Sequence, residues 1–153
     1  MIFLCKKGFT LIEILIVIAI MGIITAITIP QLSGVEQRQV ARYHIEMIES
    51  LFFEARTKTV SSQELSSYGI ALNTESIILF RGESHTEENS IEEFVFESGF
   101  IISSIDLNSG NDFSFARMSG AVANPGQFTL SSSDGTIEYI FTVTSTGLLE
   151  RSP

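Results

Sequence analysis

Between Phe9 and Ile29 the chain runs 21 residues in which Glu13 is the only charged side chain. A helix needs about 20 predominantly apolar residues to cross a bilayer core, so this segment reads as a membrane helix. An acid inside such a helix costs on the order of 3 kcal/mol even on the insertion scale, which makes an intramembrane carboxylate a functional site by default. The span itself offers no base to neutralise it. Lys6 and Lys7 lie just ahead of the span, with Gly8 between them and Phe9.

Those two lysines set the orientation. Basic residues stay on the cytoplasmic side, so the N-terminus is expected in the cytoplasm and the residues from about Gln31 outside it. A secretory signal would have a shorter apolar core followed by a small-residue cleavage site, and Ala26-Ile27-Thr28 is a poor one. An ordinary signal anchor, with Glu13 snorkelling to the interface, is the plain alternative.

The run Lys6-Lys7-Gly8-Phe9-Thr10-Leu11-Ile12-Glu13 resembles the start of a type IV prepilin or type II secretion pseudopilin. In that family a basic leader ends in Gly, a membrane prepilin peptidase cuts after it, and the same enzyme methylates the new amine. The resemblance implies cleavage between Gly8 and Phe9, N-methylation of Phe9, and an assembly role for Glu13. In filaments of the family that acid meets the N-terminal amine of a neighbouring subunit, and a buried charge is tolerable when an opposite charge meets it. The implied setting is a single pass through the bacterial inner (cytoplasmic) membrane, followed by incorporation into a filament. The implied partners are the peptidase and other pilin or pseudopilin subunits.

Beyond the span, Pro30 removes a backbone donor and invites a kink. Apolar residues then recur at Val40, Tyr43, Met47, Ile48, Leu51, Phe52 and Ala55, spacings of three and four that make one helical face. A continuous helix from Phe9 to about Val60 would be a rod of roughly 75 Å. Ser61-Ser62-Gln63-Glu64 reads as a loop, with a short helix as the alternative. Strand-like runs follow at 68–72, 77–81, 94–97, 100–106, 113–116, 128–131 and 137–144. Turns fall at Ser98-Gly99, Ser109-Gly110-Asn111 and Asp134-Gly135. In the last run Ile137, Tyr139, Phe141 and Val143 share one face, and 83–93 reads as an acidic connection.

The expected fold class is therefore α+β, a long N-terminal α-helix packed on an antiparallel sheet domain. Its divisions are a leader (1–8), a transmembrane and assembly helix (9–29), an amphipathic continuation (30–60) and a β-rich extracytoplasmic domain (61–153). Tyr68-Gly69-Ile70, Ile78-Leu79-Phe80, Phe113-Ser114-Phe115 with Gly120, and Thr144-Ser145-Thr146-Gly147 resemble the minor pseudopilin and minor pilin group. Major pilins of Gram-negative pili usually carry a C-terminal disulfide loop. Here Cys5, the only cysteine, falls in the leader.

Chemistry of other kinds finds little support. The formal net charge is −9, and loss of Lys6 and Lys7 would take it to −11. That argues against binding DNA, which depends on neutralising phosphates. Some minor pilins bind DNA through a basic C-terminal stretch, but Leu148-Leu149-Glu150-Arg151 has one Arg beside an acid. His44 and His85 stand alone, without the spacing of a triad or a metal site. Glu83, His85, Glu87 and Glu88 could offer hard oxygen ligands, but they read more simply as a solvated loop. No enzyme activity, cofactor or metal is expected. Two other classes stay open: a signal-anchored ligand-binding or sensor domain that joins no filament, and a membrane-tethered enzyme.

Overall fold

A computed structural model describes residues 9–28, 33–97 and 99–152. The chain divides into two compact units, Met1–Gln39 and Val40–Pro153.

In the first unit, Leu11–Thr28 forms α1, an 18-residue helix with Glu13 in its first turn. Every side chain from Phe9 to Thr25 is exposed, although a helix apolar on all sides calls for burial in protein or membrane. Among the described residues no helix is long and apolar enough to cross a membrane. The length of α1 comes to about 27 Å at the helical rise, slightly under the ~30 Å of bilayer hydrocarbon. The expected kink at Pro30, the continuity of the rod through it and the last residue of the 9–29 span lie outside the described residues.

Ser33–Val60 forms the helix α2, and from Val40 onward it belongs to the second unit. Its buried face consists of Ala41, His44, Ile45, Ile48, Leu51, Phe52, Ala55 and Thr59. The face read from the sequence holds at Ile48, Leu51, Phe52 and Ala55 and departs at one turn, where Tyr43 is 52% exposed and His44 fully buried. The cause lies across the interface, where Phe94, Phe96 and Phe100 surround the His44 ring. A pattern of apolar residues along one helix does not contain that information. The end of α2 is tied to the sheet by Thr59, whose hydroxyl donates to Ala55 O at 2.8 Å and accepts from Tyr68 N at 2.9 Å. Gln63–Leu65 then makes a single 3-10 turn, the alternative to a loop, and Arg81 holds it through Glu64 and Ser66.

Eight strands follow: β1 (Tyr68–Leu72), β2 (Ser76–Arg81), β3 (Ser90–Val95), β4 (Phe100–Leu107), β5 (Asp112–Ser114), β6 (Gly126–Ser132), β7 (Glu138–Val143) and β8 (Leu149–Ser152). They build two antiparallel four-stranded sheets, ordered β3-β2-β1-β5 and β4-β6-β7-β8. The architecture is α+β, a helix packed on antiparallel sheets. In the first sheet Tyr68, Ile70, Leu72, Ile77 and Leu79 face the main core; in the second, Phe128, Leu130, Phe141 and Val143 do. Phe128 and Phe141 pair across β6 and β7, their rings stacked at 5.0 Å and 8°. The alternation read for 137–144 holds, with Phe141 and Val143 buried and Glu138 and Thr142 exposed.

Two strands depart from the sequence reading. β3 begins at Ser90, inside the stretch taken as an acidic connection, and it stops at Val95 rather than Glu97. It is an edge strand whose Glu92 and Glu93 are exposed, so its composition is that of a guarded edge rather than a core. β8 was not anticipated as a strand: four residues, only Leu149 half-buried, paired on the free side of β7.

The opposite face of the first sheet carries a second small core of Ala71, Ile78 and Phe80. Part of its cover is the acidic loop after β2. His85 lies over Phe80 with ring centres 5.6 Å apart, and its backbone N–H donates to Asp112 Oδ2 on β5 at 2.8 Å. Thr86 and Asn89 close a reciprocal capping box around the turn Glu87–Asn89.

Candidate assembly site

The residues singled out from the sequence stand at the start of α1. Lys6, Lys7 and Gly8 lie outside the described residues. Phe9 is 80% exposed and precedes the helix. Thr10 is the residue the sequence reading missed. Its hydroxyl accepts from Glu13 N at 3.3 Å, and its carbonyl from Glu13 N at 3.2 Å and Ile14 N at 3.4 Å. Thr10 is therefore the N-cap of α1 and Glu13 the third residue of its first turn. The signal that would have revealed this is the Thr-x-x-Glu spacing, a known helix-start signature.

Helix polarity favours a carboxylate at that position, because the unpaired N–H groups of the first turn carry partial positive charge. That attraction is worth a fraction of a kcal/mol to about 1 kcal/mol at an exposed site. The loss on burying an acid in hydrocarbon is several times larger. The helix end therefore orients Glu13 without compensating it, and the carboxylate stays available to a cation from outside the helix.

Elsewhere the singled-out residues disperse. His44 is a packing residue; its burial pushes its pKa below the usual imidazole range, opposed by the nearby Glu97 carboxylate. Glu83, His85, Glu87 and Glu88 do not converge: no group of three or more His, Cys, Asp or Glu able to hold a metal occurs among the described residues. Arg151, the one base of the C-terminal stretch, is ion-paired with Glu49 of α2 at 3.1 Å. A polar groove of about 690 Å³ runs along β5, with Glu83 and Asp112 lining it as well as Arg117.

Gly120 and Gly147, quoted above for the resemblance, come together. Gly120 O packs directly on the Gly147 backbone, both residues have positive φ (+68° and +75°), and the Arg56 side chain fills the space beside them. At Gly147 a Cβ would collide with the Gly120 backbone, whereas at Gly120 it would press on the Val60 and Arg56 side chains. The loop after β7 approaches the loop after β5 this closely because Gly147 has no side chain.

The chain, with an apolar helix capped by Thr10 and marked by one acid and a second unit that packs a helix on antiparallel sheets, is similar to known proteins in three respects. The prokaryotic N-terminal methylation motif matches residues 4–29, and it implies a membrane-anchored N-terminus. The chain is 35% identical over 75 residues to a fimbrial protein of Pseudomonas aeruginosa, covering 49% of each chain. It is 34% identical over 92 residues to the type IV major alpha-pilin of Moraxella bovis, covering 56% of this chain and 54% of that one. The chain thus spans about half the length of the curated relatives it matches. No solved structure matches it.

Proposed function

We propose that the chain is a structural subunit, of the minor kind, of a type IV pilus or type II secretion pseudopilus. Prepilin peptidase removes residues 1–8, methylates Phe9, and leaves α1 as the anchor and then the assembly element. The observation that carries this reading is the placement of Glu13, a lone carboxylate in the first turn of an exposed, otherwise uncharged helix within the matched methylation motif. The minor assignment draws support from the resemblance of Tyr68-Gly69-Ile70 and Thr144-Ser145-Thr146-Gly147 to the minor pilin group.

In the mechanism, α1 leaves lipid for a bundle of like helices. Lipid and helix bundle are similarly apolar, so packing rather than hydrophobicity decides the transfer. Glu13 selects the axial register, because registers that leave it unpaired are penalised and one that brings a neighbour's Phe9 amine against it is not. The precursor sits in the inner membrane with Lys6 and Lys7 on the cytoplasmic side. Filament building needs no bond chemistry from the chain itself.

Intact mass and N-terminal peptide mapping of the protein, expressed with and without a prepilin peptidase, test the processing. A chain beginning at N-methylated Phe9 only when the peptidase is present is the expected result. A Met1 start in both samples refutes the reading and favours the anchored ligand-binding domain, whose natural site would be the groove along β5. Glu13→Ala is expected to be cleaved normally and to enter filaments poorly; normal entry would remove the pairing role.

A further inference from the structure

His44 is fully buried, and its surroundings dictate its charge. Glu97 N, on the segment between β3 and β4, donates its hydrogen to His44 Nε2 at 3.3 Å. A backbone N–H can only donate, so Nε2 must present a lone pair and the ring proton must sit on Nδ1. Nδ1 is buried with no hydrogen-bond partner among the described residues. The rings of Phe94, Phe96 and Phe100 stand edge-to-face around the imidazole at 5.6, 5.6 and 5.1 Å, with Tyr43 at 5.8 Å. α2 and β3 carry several charged residues, but the titratable groups that face the ring are Tyr43 of α2 and Glu97 of the β3–β4 connection; Glu92 and Glu93 of β3 are exposed.

The neutral ring fits this cage and the imidazolium does not. Protonation at Nε2 would set one N–H against another and place a cation among apolar rings, with only the Glu97 carboxylate in opposition. The segment from Phe94 to Phe100 is also where the chain crosses from the edge of one sheet to the edge of the other. Its contact with His44 fastens that crossing to α2.

We propose that His44 is an acid-sensitive latch: protonation of its ring releases the Phe94–Phe100 crossover from α2 while β6 and β7 stay paired. The inference is independent of the filament reading. Because the folded pKa is depressed, the stability that neutral His44 supplies is fully present above about pH 6.5. It declines as pH falls below that value and is exhausted at the folded pKa.

The test uses the full chain in detergent micelles, with amide hydrogen exchange followed from about pH 7.5 to about pH 5 and corrected for intrinsic rates. Protection at residues 94–97, 99 and 100 should fall by up to about tenfold per pH unit, the limit for one proton, relative to β6 and β7. The His44 ring, read by NMR, should be the Nδ1–H tautomer and titrate below the usual imidazole midpoint. In His44→Gln, whose amide oxygen can still accept from Glu97 N, the extra pH dependence should vanish. Equal pH dependence in the two proteins overturns the proposal. Should the variant fail to fold, an Nε2–H tautomer or an unshifted midpoint in the unaltered chain overturns it equally well.

Discussion

Replacing Gly147 by alanine should unfold this protein far more readily than the same change at Gly135, although the two glycines have nearly the same backbone, φ +75° and +70°. At Gly135 an added Cβ meets nothing within 4 Å. Only left-handed strain remains, about 1 kcal/mol for alanine, part of it offset by the smaller entropy of the unfolded chain. At Gly147 the same strain applies, and the Cβ would also collide with Gly120 O, a backbone atom that cannot swing aside. Relief requires the two loops to part. Parting them breaks the bond from Val122 N to Ser145 O at 3.0 Å, worth about 1 kcal/mol, and loosens the bridge between Phe115 and Val122, both buried. With about 1–2 kcal/mol for partly exposing those two buried side chains, the expected penalty is about 3–4 kcal/mol against about 1 kcal/mol or less at Gly135. A unit the size of Val40–Pro153 loses about 4 °C of Tm per kcal/mol. Thermal unfolding of the full chain, followed by circular dichroism, should therefore show drops of about 12–16 °C for Gly147→Ala and about 4 °C or less for Gly135→Ala. Equal shifts would show that the close approach of Gly120 and Gly147 contributes nothing.

Two further outcomes follow from the second sheet. Phe128→Ala empties the centre of the Phe128–Phe141 stack and should lower stability by about 3–5 kcal/mol, measurable by urea unfolding with an unchanged slope. Hydrogen bonds from the Ser132 hydroxyl, then from Thr136, hold the Asp134 carboxyl down at about 2. The stabilisation from its charged form is complete above about pH 4 and disappears as pH falls through about 2. The stability gap between the unaltered chain and Asp134→Asn should close over that range, and a gap independent of pH would refute the role of the charge.

Local signals account for what could be read in the sequence. The bounds of β1, 68–72, stand out because turns flank a run of apolar residues, and β7 because its alternation puts Phe141 and Val143 inward. β3 hides behind Glu92 and Glu93, since an edge strand with solvent along one side needs no apolar alternation. β8 becomes a strand only because β7 has a free side, a fact of the sheet and not of Leu-Glu-Arg-Ser. The burial of His44 in place of Tyr43 on α2 depends on aromatic residues some fifty positions away. At the assembly site, Glu13 was conspicuous because a charge in an apolar run violates the solvent preference around it. Thr10 was less so, because its contribution is a single hydroxyl directed at the backbone.

The glutamates of β3 bear on what happens before any filament exists. If the chain waits in a membrane as proposed, its domains are confined to a plane and meet one another far more often than they would in solution. A bare sheet edge in such a crowd would find another edge and polymerise by strand pairing, a route with no machine to control it. With Glu92 and Glu93 exposed along β3 and an excess of acid over base across the chain, two domains that approach edge to edge repel each other. Under the proposed filament reading, association would then be left to the helix that carries Glu13.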